Sequence, residues 1–518
     1  MRKITLFVAF VSLVIVISIG FLSEKNIELT TLMKLQEKYP IKEVKSADHS
    51  KFKVLQQKFD SPNDITKACL SCHNNSGLEV MHTSHWNWSR DEYIEGKGIV
   101  SFGKKNGMNS FCIGVQGSEK SCAKCHIGNG MHLKDFSYDK QEYIDCLVCH
   151  DQTETYAKAN NMGGSPIATL DFNAIAQSVG KPKRTNCGVC HFYGGGGNNV
   201  KHGDLEKSMF YPNKAIDIHM GTDGADMQCV DCHVTEHHDI KGKMFSLSSM
   251  NQNRVYCEDC HTNSPHEKEI LNEHTYKVSC QTCHIPVYAK VNSTKTWWDW
   301  STAGKLKDGQ PFFEEDSLGN HTYLSIKGSF EWGDNLKPEY VWFNGTADHH
   351  LLSDSITEIP VKINHLLGNY TDRKAKIWPV KIHRGKQPYD TEYNRIVQPK
   401  LWDAEPDKGA LWVDFDWEKA LEAGMEYKGL PYSGKHDFID TEMFLPLSHM
   451  VSPKEQSLSC SDCHNSSKSR IAGLTDFYLP GRDKNTLVDF IGLALLLSTL
   501  GGVFAHGVIR IVASRKKS

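Results

Sequence analysis

The sequence predicts a mainly α fold with extensive coil, closed by a C-terminal transmembrane helix, and three observations predict it. Sixteen of the 17 cysteines fall into eight CxxC pairs, and each pair is followed at once by histidine. Seven of these motifs crowd between residues 69 and 284, which leaves room for helical turns and loops between them but little for a conventional core. Near the end, Phe490 to Ile509 is an apolar stretch without Asp, Glu, Lys or Arg, followed by Arg510, Arg515, Lys516 and Lys517. That stretch is long enough to span a bilayer, and its positive flank places the C-terminus in the cytoplasm. A net charge of -3 gives no basic surface for nucleic acid.

In chain order, residues 1-24 read as an export signal or an N-terminal anchor. Arg2 and Lys3 precede an apolar run from Ile4 to Leu22, with the small-x-small sequence Ser18-Ile19-Gly20 inside it. The run is also long enough to span a bilayer, so cleavage and retention both stand. Under either, the chain from about residue 25 to 485 lies outside the cytoplasmic membrane. Residues 25-286 hold seven motifs, 287-465 form an aromatic-rich region ending in the eighth, 466-486 are a polar linker, 487-510 the transmembrane helix and 511-518 a cytoplasmic tail. The stretch from 285 to 459 reads as coil with a few helices, among them an amphipathic one from Trp417 to Gly424 ended by its glycine. Trp412, Phe415 and Trp417 read as packing residues, and Gly194 to Gly197 permits close backbone approach to a bound group.

The motifs are Cys69-Cys72-His73, Cys122-Cys125-His126, Cys146-Cys149-His150, Cys187-Cys190-His191, Cys229-Cys232-His233, Cys257-Cys260-His261, Cys280-Cys283-His284 and Cys460-Cys463-His464. In an exported chain CxxCH is a c-type haem attachment site. Cysteines three apart share one side of a helical turn and bond the porphyrin together, and the next histidine reaches the iron. Zinc sites, thioredoxin-like pairs and a disulfide framework each leave eight consecutive histidines unexplained. The fold expected is therefore a multihaem cytochrome c wrapped around eight covalently attached haems, with porphyrin faces replacing aliphatic side chains.

Eighteen histidines lie outside the motifs, enough to supply second axial ligands and make most haems six-coordinate electron carriers. The distal candidates are His85, His202, His219, His238, His266, His274 and His449, with Met220 or Met450 as the alternative to an adjacent histidine. A catalytic haem must keep one iron position open or exchangeable.

Long stretches of the chain are similar to one family. They include Asp48-His49-Ser50-Lys51-Phe52, Lys67-Ala68-Cys69-Leu70-Ser71-Cys72-His73, Thr83-Ser84-His85-Trp86, His191-Phe192-Tyr193 with Gly194 to Gly197, and Val200-Lys201-His202-Gly203-Asp204-Leu205. Trp297-Trp298-Asp299-Trp300-Ser301, Arg384-Gly385-Lys386-Gln387-Pro388-Tyr389-Asp390 and Ser448-His449-Met450-Val451 extend the match. From about residue 48 to its end the chain resembles the octahaem tetrathionate reductase family of c-type cytochromes. The resemblance implies that the second haem, attached at Cys122 and Cys125, is the active one and that Lys201 coordinates its iron, which leaves the part of His126 open. Such a lysine must be a neutral amine. Cys112, the one unpaired cysteine, lies ten residues before Cys122 and is implied to sit beside the active haem in contact with a sulfur species. Asp204 orients the lysine, relays protons or is a solvated surface charge. A pentahaem nitrite reductase would show CxxCK, which is absent, and no tyrosine can be assigned to the cross-link of octahaem hydroxylamine oxidation.

The function expected is a membrane-tethered respiratory reductase on the periplasmic face of the cytoplasmic membrane. By resemblance it reduces tetrathionate to thiosulfate, with nitrite and hydroxylamine as further small inorganic substrates. The tether places the eighth haem nearest the membrane in sequence, so the electron donor expected is a membrane quinol-oxidising cytochrome. His506, inside the spanning segment, reads as an interfacial residue or as a ligand to a b-type haem shared with that partner. The rival reading is a non-enzymatic electron conduit with every haem six-coordinate.

Overall fold

The computed structural model describes residues 47–515 except 104–106, 112, 132–135, 161–162 and 244–248. The N-terminal segment 1-24 and Cys112 thus lie outside the described residues. The chain divides into two units: the described part of the smaller is Val255–His274, and the larger takes in the residues before and after it.

The attachment motifs sit on short helical turns with local start signals. Ser61 caps the helix Pro62–Leu70, its hydroxyl accepting the Asp64 N–H, with proline at the first helical position. Further motifs lie on Leu147–His150, Arg184–His191, Cys229–Cys232, Cys280–His284 and Cys460–Cys463. Small apolar clusters fill the space between them, one joining Leu55, Phe59, Ile65 and Ala68 to Leu147 and Ile175.

The body is not mainly α. Two hairpins, β1 (Ser89–Ile94) with β2 (Gly98–Gly103) and β3 (Thr235–Glu236) with β4 (Asp239–Ile240), precede a ten-stranded sheet. Its strands are β5 (Thr294–Asp299), β6 (Phe313–Glu315), β7 (His321–Leu324), β8 (Gly328–Gly333), β9 (Glu339–Phe343), β10 (Ala347–His349), β11 (Val361–Leu366), β12 (Lys376–Asp390), β13 (Arg395–Ile396) and β14 (His436–Pro446). The main path runs β10-β11-β14-β12-β5-β8-β7-β6, with β9 and β13 also paired to β12. The region expected to be coil is therefore the sheet. Its central strand hides its period because Ile377, Pro379, Lys381, His383, Gly385 and Gln387 all point inward, and three of these are polar.

The sheet's core joins Trp298, Trp300, Phe330, Ile363, Ile439 and Met443 to Phe111 and Val200, which brings the neighbours of Cys112 and Lys201 onto it. Trp298 and Trp300 stack 4.8 Å apart, and Trp417 packs edge-on to Phe438 at 5.1 Å. The helix starting at Trp417 runs to Lys428 and ends at Gly429 in the left-handed region, φ 66°. Gly424 does not terminate it: a Cβ there would overlap the Gln398 carbonyl, so this glycine admits the neighbouring chain.

The last helix is Thr486–Arg515. Within Thr486–Ser514 an 18-residue stretch has a mean hydropathy of 2.0, none of that stretch is buried, and the helix is long and apolar enough to cross a membrane.

Candidate functional site

Three pairs of imidazoles face each other across gaps of one size. The ring centres of His49 and His73 are 6.4 Å apart, those of His233 and His449 6.2 Å, and those of His85 and His191 6.1 Å. Two imidazoles on opposite faces of one iron, with metal–nitrogen bonds of about 2 Å, place their centres about 6 Å apart. Each pair joins a motif histidine to one outside the motifs. His49 is missing from the sequence-based candidates, and its only signal was the stretch Asp48 to Phe52 that carries the resemblance.

The other ring nitrogens suit the same task. Nδ1 of His150, His233 and His464 lies 2.9, 2.7 and 2.7 Å from the carbonyls of Gly180, Lys241 and Pro480. A carbonyl only accepts, so the proton is on Nδ1 and Nε2 keeps its lone pair for a metal. Burial lowers the pKa of His85, His150 and His233 and takes His191 to about 3, which keeps them in the neutral, donating form. His238 Nδ1 sits 2.8 Å from Glu79 Oε2.

The remaining candidates are placed as follows. His202 is held well below its usual pKa by burial. His219 Nδ1 lies 3.9 Å from Asp217. In the smaller unit, with Cys257, Cys260 and His261, His266 Nδ1 is 3.3 Å from Asn272 Oδ1 and His274 Nδ1 2.5 Å from the Ile270 carbonyl. Met450 is fully buried in an apolar cluster with Phe192 and Met209, with Met220 packed against it.

Cysteines of different motifs also meet: Cys69 with Cys146, Cys187 with Cys229, and Cys190 with Cys125. Cys283 stands within electrostatic reach of Cys463. Attachment points of the second and fourth motifs, and of the fourth and fifth, therefore adjoin, as relays passing single electrons require. Among the described residues the motif cysteines form no disulfide, and no three metal-ligating side chains converge as a zinc cluster would.

Lys201 rides on a loop fastened on several sides. The Asn199 carbonyl accepts from Thr294 Oγ1 at 2.5 Å, the Val200 and Lys201 carbonyls accept from Lys381 Nζ at 3.0 and 2.8 Å, and the Gly203 carbonyl accepts from the Ala289 N–H at 2.8 Å. The Lys201 side chain lies on the glycine run: a Cβ at Gly195, where φ is 82°, would stand 3.3 Å from Lys201 Cβ and 3.4 Å from Phe111 Cδ1. Phe111, next to Cys112, packs its ring 4.4 Å from that of His383. Asp204 is buried, and its Oδ2 accepts from the Ser448 and His449 N–H groups at 2.8 and 3.0 Å and lies 3.4 Å from His449 Nδ1. Burial alone would raise its pKa, but His449 and the Ser448 amide bring it below the usual value, and the same contact raises that of His449 against its own desolvation. These contacts make Asp204 an orienting partner of His449.

The second motif departs from the others. In five motifs the histidine N–H donates to the first cysteine's carbonyl four residues back, at 2.8 to 3.2 Å, and in two more the histidine ends an α-helix. At the second, the helix stops at Cys122, the turn tightens, and the His126 N–H goes to Ala123 instead. His126 is extended, its ring stacks on Trp88 at 4.6 Å, and its carbonyl accepts from Lys158 Nζ.

Motif cysteines on helical turns and imidazoles facing across iron-sized gaps define a multihaem c-type cytochrome. Comparison with known proteins agrees. The family described as bacterial cytochrome c matches residues 295–467. The crystal structure of octaheme cytochrome c from Shewanella oneidensis is 43% identical with a TM-score of 0.75, covering 82% of this chain and 95% of that one. An uncharacterised protein from Archaeoglobus fulgidus is 26% identical over 38% of this chain and 82% of its own length. The chain belongs to the octahaem c-type cytochromes, and its haems are covalently bound c-type haems.

Proposed function

We propose that this cytochrome is a respiratory reductase, anchored by Thr486–Arg515 to the cytoplasmic membrane, with its haems on the periplasmic face. One observation carries the reading: the second motif alone turns its histidine out of the common geometry, while Lys201 is held on a fastened loop. Lys201 would hold the iron of the second haem, and the imidazole pairs His49/His73, His85/His191 and His233/His449 would hold those of carriers that bind no substrate. A membrane quinol-oxidising cytochrome supplies the electrons. The haems supply one-electron transfer. The chain itself fixes the lysine, keeps the buried imidazoles of His85, His150, His191 and His233 neutral and gives the fourth motif contact with the second. Tetrathionate takes two electrons and its central S–S bond breaks to give two thiosulfates. Cys112, which is outside the described residues, is the expected contact of the sulfur substrate, and nitrite and hydroxylamine are further substrates.

The test is substrate-dependent reoxidation of the dye-reduced holoprotein by tetrathionate, nitrite and hydroxylamine, beside Lys201→Ala. Turnover that falls at least about a hundredfold in the variant, the scale of losing a group acting at the reacting centre, supports the reductase. No turnover with any of the three, despite full reduction of the haems, supports a conduit, the reading favoured by the paired imidazoles.

A further inference from the structure

Lys381 sits in the middle of β12, fully buried and opposite Leu445 of β14. Its Nζ donates to the carbonyls of Val200 at 3.0 Å and Lys201 at 2.8 Å and to Thr294 Oγ1 at 2.6 Å. The two carbonyls can only accept. The Thr294 hydroxyl gives its own proton to the Asn199 carbonyl, so towards Lys381 its oxygen also accepts. Burial pushes the Lys381 pKa well below the usual lysine value, but three acceptors with no proton to offer call for three N–H donors, a demand only the ammonium meets.

The two carbonyls belong to the peptide planes on either side of the Lys201 Cα. Each plane is rigid, so holding both from one amine fixes φ and ψ at Lys201 and with them the direction of its Cα–Cβ bond. A lysine side chain has four rotatable bonds, and ordering it as a metal ligand costs entropy that a fixed root reduces. We infer that Lys381 is a positioning residue for Lys201, the buried ammonium that aims the lysine ligand at the second haem from the central strand of the sheet. The inference rests on the proposed ligation by Lys201. It assigns Lys381 no contact with substrate or iron.

The test uses low-temperature paramagnetic resonance of the ferric, fully haem-loaded protein. Lys201→Ala identifies the spectral component of the lysine-bound haem. Lys381→Met keeps the apolar stem and removes the three donors. It is expected to lower the ratio of lysine-bound to lysine-free second haem at least about tenfold, the size of losing hydrogen bonds from a charged donor, with the other haem signals unchanged. Thr294→Val, which removes one acceptor, should lower it less, and Thr294→Ser should restore it. These threonine variants decide the matter if Lys381→Met fails to load haem. A wild-type spectrum in Lys381→Met, or in Thr294→Val where that variant must decide, overturns the positioning role while Lys201 ligation stands. If Lys201→Ala itself leaves every haem signal in place, the ligation and the positioning fall together.

Discussion

Lys295 is a second lysine inside the sheet, and it has no acceptor set like that of Lys381. Its Nζ lies 4.0 Å from the ring centre of Trp298, 3.2 Å from that of Phe330 and 4.9 Å from that of Trp332. Burial, with smaller contributions from Lys327 and Lys381, takes its pKa to about 6 from an ordinary 10.5. Between those values the unfolded chain holds a proton that the folded chain lacks, so this residue makes stability rise with pH across the window. Lys295→Met should therefore raise the thermal midpoint at pH 7 by at least about 2 °C, the gap widest near pH 6 and closing towards pH 10. Scanning calorimetry across that range checks it, and a pH-independent difference would show that the amine stays charged. The residue scale is also where the sequence is most and least informative. Cysteine spacing marks all eight expected attachment points locally, whereas the facing of His449 to His233 is a tertiary contact between distant segments, and His49 is marked only by the Asp48 to Phe52 stretch that carries the resemblance.

At the scale of elements, local signals hold where hydrophobic and structural periods coincide. The start of the helix at Trp417 is legible because Asp416 caps it, but its end is misread because glycine also serves close packing. The Gly424 Cα faces the backbone of residues 398 to 400, and Lys400 is tied to the same helix by its N–H to the Ala420 carbonyl at 2.8 Å. Backbone cannot yield by changing rotamer. Gly424→Ala should therefore destabilise the protein by about 1–3 kcal/mol in denaturant titration, against the gain of about 1 kcal/mol that helix propensity alone would give. A stabilised variant would mean that the two segments separate freely. The sheet was hidden for the opposite reason. Lys381, His383 and Gln387 fill the inner face of β12, so the alternation of hydrophobicity that announces a strand is broken where the strand does its positioning.

For the whole molecule, two kinds of interior coexist in one chain. The sheet supports an apolar core of its own, including Trp298, Trp300, Ile363 and Met443. Before residue 285 the apolar clusters outside that core are small, and the motif helices are mostly one or two turns long, too short to be stable without tertiary packing. The facing imidazoles stand at the distance an iron between them would set, and bound haem would supply much of that region's packing. The multihaem cytochrome fold and its last apolar helix are as expected, and only the mainly α part of the expectation misses the strands: motif density describes the haem-binding part and says nothing of a region with one motif and a sheet. Chain made without haem attachment should keep slow hydrogen exchange in β5, β8, β12 and β14 while amides of Pro62–Leu70, Leu147–His150 and Arg184–His191 exchange at least about a hundredfold faster than in the haem-loaded protein. Mass-spectrometric exchange on both forms measures this. Uniform loss of protection would make haem the nucleus of the sheet as well, and uniform retention would mean that the short helices hold without it.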